Sequence, residues 1–185
     1  MARVLVPLAN GFEDIEAVSV IDVLRRGGVD VVTASIHDGR EVRSAHRVTM
    51  RADVLLSDVQ SEVFDAIVLP GGGEGTENLK TCVTLAGMLR QQKDNHRFRC
   101  AICAAPTVLI AAGALGEDTQ ITCYPSCQME LDRPWSSAPV VEDGHVITGQ
   151  APGSALLFAL VVLKALAGDG VARKVARGMV TDVFG

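Results

Sequence analysis

Aromatic side chains are scarce: one tryptophan, one tyrosine and five phenylalanines occur among 185 residues. Val, Leu, Ile and Ala must therefore fill the interior, which suits parallel strands buried on both faces by helices. A basic excess is also missing. The formal net charge is −5 with no block of like charges, so the chain lacks the phosphate-neutralising face that nucleic-acid binding needs. No apolar run spans a bilayer comfortably, since "ALLFALVVLKALAG" is interrupted by Lys164. The opening "MARVLVPLANGF" has neither the longer apolar region nor the small-residue cleavage site of a secretory signal. These absences predict a soluble, cytoplasmic protein with no membrane or nucleic-acid partner. Its five cysteines, an odd number, then sit in a reducing compartment. A disulfide framework is disfavoured there, leaving metal, redox or catalytic use beside plain core packing.

No repeat or low-complexity linker divides the sequence, and its length fits one domain, 1–185. Apolar runs alternate with amphipathic segments. "RVLVPL" (3–8), "DVVTAS" (30–35), "DAIVLP" (65–70) and "FRCAIC" (98–103) read as buried strands. Helical spacing sets Ile15, Val18, Ile21 and Leu24 on one stripe ahead of a Gly27-Gly28 stop. From Glu77 to Gln91 it sets Leu79, Val83, Ala86 and Leu89 on one face of a single helix. "APTVLIAAGAL", "GSALLFALVVLKALAG" and "GVARKVARGM" read as further helices. "EVRSAHRVTMRADVLL" alternates over short stretches, which predicts a small antiparallel excursion, and the Asp-Gly of "VVEDGHVIT" predicts a hairpin. Strands alternating with helices predict an α/β fold, a mainly parallel sheet with helices on both faces.

Ligands of such sheets bind beyond the carboxyl ends of the strands. "LANGFEDIE", "LPGGGEG" and "CAICAAP" all fall there, so topology gathers Glu16, the glycines and Cys103 in one cleft. Cys103 occupies a strand-to-helix connection, where backbone is often strained and the side chain projects outward. Pro106 suits the first turn of the helix that follows. That helix directs free N–H groups and a positive dipole end at the sulfur, which predicts a lowered thiol pKa. The run Gly71, Gly72 and Gly73 can turn backbone amides into the cleft, where they would stabilise a developing oxyanion or hold substrate. It is no phosphate loop, because no Lys-Ser or Lys-Thr pair follows. Beside a thiolate and partly desolvated, Glu16 would keep its proton. Each signal alone also fits ordinary core or surface; their convergence carries the prediction.

The remaining cysteines and the histidines have competing uses. Cys100 should lie roughly 10 Å from Cys103 and on the opposite face of a strand, beyond the roughly 7 Å a disulfide allows. Cys100, Cys103, Cys123 and Cys127 form two close pairs, but their spacings and the apolar strand around the first do not match a zinc knuckle, and no metal is expected. Cys123 and Cys127 are alternative partners for an oxidised Cys103 if the loop brings one of them near. His37, His46, His96 and His145 fall in loops, strand edges or a turn, with His145 the one candidate for a remote triad member.

"NGFEDIEAV", "VLPGGGEG", "AICAAPTVL" and "TGQAPGSALLFAL" occur in an order that resembles the ThiJ/PfpI superfamily over essentially the whole chain. The match is closest to the branch of the Parkinson-associated protein deglycase and the bacterial chaperone YajL. The resemblance implies a flavodoxin-like sandwich and a homodimer. It implies Cys103 as the reactive cysteine, Glu16 as its protonated partner, and Gly72 and Ala104 as backbone donors to an oxyanion or oxidised sulfur. It further implies cofactor-free glyoxalase or deglycase action on 2-oxoaldehydes or their protein adducts, redox sensing, and chaperone-like behaviour. Two positions depart from the pattern. Ala104 stands where the peptidase-like branch carries histidine, so a Cys-His protease pair is absent. Tyr124 stands where the deglycase branch often has histidine, and a phenol with an ordinary pKa of about 10 is a poor base at neutral pH. Proton transfer would then rest more heavily on Glu16.

Overall fold

A computed structural model describes residues 1–181; residues 182–185, the end of the expected domain, lie outside the described residues. The strands are β1 (Arg3–Leu8), β2 (Asp30–Ser35), β3 (Glu41–Arg43), β4 (Thr49–Arg51), β5 (Val54–Leu55), β6 (Ala66–Leu69), β7 (Phe98–Ile102), β8 (Val140–Asp143) and β9 (Val146–Gly149). Seven of them form one sheet in the order β5-β2-β1-β6-β7-β9-β8, parallel except where β8 pairs antiparallel with β9 at one edge. The helices are α1 (Asp14–Arg26), α2 (Leu56–Val59), α3 (Gly73–Thr81), α4 (Val83–Asp94), α5 (Pro106–Ala111), α6 (Ala155–Ala167) and α7 (Asp169–Gly178).

Strand alternation splits the core in two. Val4, Val6, Leu8, Ala66, Val68, Cys100, Ile102 and Ile147 pack against α1, α6 and α7. Leu5, Ile67, Leu69 and Ala101 pack beneath α2, α3, α4 and α5. Helix α6 lies between the sheet, α1 and α7, which is why "ALLFALVVLKALA" is apolar on most sides. Its Phe158, Leu160 and Val162 are fully buried, and each such burial contributes roughly 1.5–3 kcal/mol. Among the described residues no helix is long and apolar enough to cross a membrane.

Both expected hairpins are present. β3 and β4 pair antiparallel outside the main sheet, and Gly144 turns β8 into β9 at φ 57°. Two helical expectations need correction. Of the expected stripe Ile21 and Leu24 are buried, but Ile15 and Val18 face outward, 56% and 51% exposed. Helix α1 completes its inner face with Ala17, Val20 and Val23, so its first turns are apolar on two sides. The single helix expected from Glu77 to Gln91 is two helices, broken at Cys82, whose backbone is extended (φ −78°, ψ 98°). The break changes the phase: Leu79 is buried and Val83 exposed, while Leu85, Met88 and Leu89 carry the inner face of α4.

Candidate active site

Strands β1, β6 and β7 are neighbours, so the loops that leave their carboxyl ends meet. Strand β7 stops at Ile102, and Cys103 follows in the left-handed region at φ 64°. Only a surrounding structure that over-determines the backbone holds a cysteine there. Its N–H donates to the Gly149 carbonyl at 3.0 Å, and its own carbonyl accepts from the Tyr124 N–H at 2.8 Å. Helix α5 then starts with Pro106 in its first turn, and the Thr107 hydroxyl donates to the Ala104 carbonyl at 2.7 Å. The backbone amides of Gly72 and Ala104 donate to the Cys103 sulfur.

Glu16 lies in the first turn of α1 and is fully buried. Glu13 caps that helix, its Oε2 accepting from the Glu16 N–H at 2.8 Å. Glu16 Oε2 accepts from the Gly71 N–H at 2.7 Å, and the carboxyl is hydrogen-bonded to the Cys103 side chain. Its other oxygen, Oε1, is buried with no hydrogen-bond partner, a costly position for an anion.

These surroundings set the protonation chemistry. Burial pushes the Glu16 carboxyl up to about 7, against the opposing pull of the Gly71 amide and Cys103 and with help from the charge of Glu13. The Cys103 thiol is pushed up to about 12, by burial first and then by the charge of Glu16 and the hydrogen bond to it, against the amides of Gly72 and Ala104. This reverses the expected lowering of the thiol: a six-residue helix offers only partial charges, and desolvation outweighs them. Two negative charges this close do not both form near neutrality, so the pair loses one proton well before the other. The carboxyl therefore ionises first, at about 7, while the thiol keeps its proton. The two amide donors at the sulfur and the unpartnered Oε1 then favour passing that proton from sulfur to Glu16 as the nucleophile forms.

The glycines divide their labour. The Gly71 amide goes to Glu16 rather than into the cleft, a correction to the expectation that it would face an oxyanion or substrate. A Cβ at Gly71 would sit 2.7 Å from Cys103 Cβ and 2.8 Å from Glu16 Oε2. Gly72 adopts φ 95°, and a Cβ there would lie 2.2 Å from the Gly11 carbonyl oxygen. Tyr124 is tied to Cys103 by its backbone and is 43% exposed.

Other sequence candidates lie elsewhere. His145 precedes β9 at the end of the sheet remote from Cys103, since Val146 pairs with Arg99 and Gly149 with Ile102. Its ring packs on Phe98 at 5.3 Å, so it is no triad member. Cys100 is fully buried within β7, and burial pushes its thiol up to about 12. It shares a core cluster with Cys103 rather than opposing it across the sheet, because the left-handed turn at Cys103 ends the strand's alternation. Among the described residues one group has metal-ligand spacing, Glu13, Asp14 and His46, with ligand atoms all within 4.8 Å, and no cysteine belongs to it. Asp14 in that group already engages Ser44 and His46. Sequence reading missed Glu13 and Gly149. The three-residue spacing from Glu13 to Glu16 is the signal of a helix cap; Gly149 had none beyond its place at a strand end.

The fold and site together define the class: an α/β sandwich that presents a cysteine on a strained elbow beside a buried acid. Residues 2–165 match the DJ-1/PfpI family, and the chain belongs to that family. Protein DJ-1 homolog B of Arabidopsis thaliana is 40% identical over 183 residues, covering 96% of this chain and 41% of that protein. The chain thus spans less than half of that relative's length. Glutathione-independent glyoxalase DJR-1.2 of Caenorhabditis elegans is 34% identical over 170 residues, 90% of this chain and 89% of its own. The crystal structure of Drosophila melanogaster DJ-1beta superposes with a TM-score of 0.95 at 36% identity and covers 98% of each chain. The sheet and its flanking helices are the flavodoxin-like fold of DJ-1 proteins.

Proposed function

We propose that the chain is a cysteine-dependent, cofactor-free glyoxalase or deglycase acting on small 2-oxoaldehydes or on the adducts they form with proteins. The observation that carries this is the pairing of a fully buried Glu16, pushed up to about 7, with a sulfur that receives two backbone amides. Such a pair supplies a nucleophile and a proton carrier that both work near neutral pH. The name of the Caenorhabditis elegans relative supports the same chemistry.

The Cys103 sulfur attacks the aldehyde carbon of methylglyoxal, a C–S bond forms, and the carbonyl electron pair moves to oxygen. That oxygen takes the proton held by Glu16, giving a hemithioacetal, with the Gly72 and Ala104 amides stabilising the oxyanion as it develops. Glu16, now a carboxylate, removes the proton from the former aldehyde carbon; the electron pair forms a C–C double bond and the neighbouring ketone oxygen takes up a proton, giving an enediol. Glu16 then returns its proton to the neighbouring carbon while the hydroxyl on the sulfur-bearing carbon loses its own and becomes a carbonyl. The first carbon is thereby oxidised to a thioester and the second reduced to an alcohol. Water cleaves the thioester, releasing lactate and the thiol. Tyr124 contributes hydrogen bonding to the bound substrate. Purified protein should form lactate from methylglyoxal without added thiol, and Cys103→Ser should abolish it; undiminished turnover in that variant refutes the mechanism.

A second reading, oxidation sensing, is favoured by the same two amides, which would hold the oxygens of a sulfenic or sulfinic acid while Glu16 donates its proton. Selective oxygen addition at Cys103 under mild peroxide supports it, and addition first at another cysteine counts against it. We also propose a homodimer. Its support is the outward apolar stripe Ile15 and Val18 on α1, beside the exposed Val48 of the β3–β4 connection. The two regions are held together by the Ala45 N–H on the Phe12 carbonyl at 2.8 Å and by Ser44 on Asp14.

A further inference from the structure

Two thiols, Cys123 and Cys127, could partner an oxidised Cys103, and the backbone distinguishes between them. The Tyr124 N–H donates to the Cys103 carbonyl at 2.8 Å. Cα of Cys123 is separated from that N–H by one peptide group and Cα of Cys103 from the carbonyl oxygen by one bond more than the carbonyl itself. A bond of this length therefore holds the two Cα atoms within roughly 7 Å, about the reach of a disulfide. Cys127 begins a turn further along, its N–H already on the Tyr124 carbonyl at 2.9 Å. Burial points the same way. Tyr124 is exposed and Cys123 fully buried, so the chain turns Cys123 inward, where Cys103 also lies at only 8% exposure. The Cys123 thiol donates to the Tyr124 carbonyl at 3.4 Å. Cys100 is held inside β7 between its paired residues Val68 and Ile147. Cys82 lines a separate hollow beside β2 and β5.

We infer that Cys123 is a resolving thiol: a sulfenic acid formed at Cys103 by a hydroperoxide condenses with Cys123 to an intramolecular disulfide, giving the chain a thiol-recycled peroxide-reducing activity. In the first step the Cys103 thiolate attacks a peroxide oxygen; an S–O bond forms, the O–O bond breaks, and the departing oxygen takes a proton to leave as water or an alcohol. Sulfur is oxidised by two electrons and the peroxide reduced by two. Next the Cys123 sulfur attacks the Cys103 sulfur, an S–S bond forms, and the hydroxyl leaves as water with the Cys123 proton. An external dithiol then returns both cysteines to thiols and becomes a disulfide itself. The inference rests on Cys103 being reactive, as the proposed function does, but on no 2-oxoaldehyde. The segment after Tyr124 is a 3-10 turn, Pro125–Glu130, outside the sheet, so closure leaves the strands in place.

The test is peptide mapping of the reduced full chain after one equivalent of hydrogen peroxide, with rapid alkylation of remaining thiols. The expected product is a linked peptide pair joining Cys103 to Cys123, formed equally in Cys127→Ser. In Cys123→Ser and in Cys123→Ala the link should vanish and sulfinic acid at Cys103 should rise several-fold. Peroxide consumption with dithiothreitol as the recycling dithiol should fall several-fold in the same variants. The wild-type map decides even if both variants fold poorly. Sulfinic acid at Cys103 without a link, a link from Cys103 to Cys127 or Cys100, or no oxidation at Cys103 each overturns the inference. Loss of lactate formation alone would strike the proposed function and leave this result standing.

Discussion

Glu16 is where burial becomes chemistry. Its carboxyl holds its proton to about 7 in the folded chain against an ordinary value of 4.5. As pH rises through that window the unfolded chain ionises first, so the folded state loses stability between about 4.5 and about 7 and no further above it. The loss is on the order of 3 kcal/mol. Denaturant unfolding across this window should show that slope in the wild type and not in Glu16→Gln, the difference between the two isolating the one carboxyl. The same proton sets the rate. Below about 7 the pair holds both protons and offers no thiolate, so kcat/KM for methylglyoxal should climb with pH to a midpoint near that value. In Glu16→Gln the sulfur must ionise alone in a buried site, and the midpoint should move to higher pH.

At the scale of elements, the site is a junction of three connections, and Gly71 is the point at which they touch. Gly71→Ala would push Glu16 and Cys103 apart, because the added Cβ has less than 3 Å to each. A drop of about 100-fold in kcat is expected from such a displacement, with a stability loss of about 1–3 kcal/mol, both measurable on one preparation. Much of this junction was legible in the sequence. Apolar runs located β1, β2, β6 and β7 because these strands are largely buried on both faces and few polar residues, Thr33 and Arg99 among them, interrupt their middles. The rule that ligands sit beyond strand ends then brought Glu16, the glycines and Cys103 together. Legibility failed where two neighbours competed for one group. Nothing in "PGGG" says that the Gly71 amide is taken by Glu16 while the Gly72 amide reaches sulfur; that follows from the packing of loop on loop. The rise of the thiol pKa was hidden for a related reason, since the helix after Cys103 is visible in sequence and the depth of burial is not. The break at Cys82 has no breaker residue to announce it. Periodicity likewise could not say which of two apolar stripes on the first turns of α1 meets the core.

At the scale of the molecule, that second stripe becomes an expectation about assembly. Val18→Asp leaves the core face of α1 untouched and should convert the proposed dimer to a monomer in sedimentation velocity, with unfolding changed by no more than about 0.5 kcal/mol once referred to the monomer. Dimeric sedimentation by this variant would remove α1 from the interface. The conformation of Cys103 reaches the whole molecule too. A side chain held at φ 64° costs about 1–3 kcal/mol that the rest of the fold must absorb, so the protein melts below the temperature its core alone would permit. Glycine at that position relaxes the backbone where alanine does not: Cys103→Gly should melt several degrees above Cys103→Ala by calorimetry, at roughly 2–4 °C per kcal/mol for a chain of this length. Both variants would be inert toward aldehydes and peroxide. Relaxing the backbone with glycine would raise thermal robustness only by removing the sulfur, so durability and the proposed chemistry pull in opposite directions at this one position.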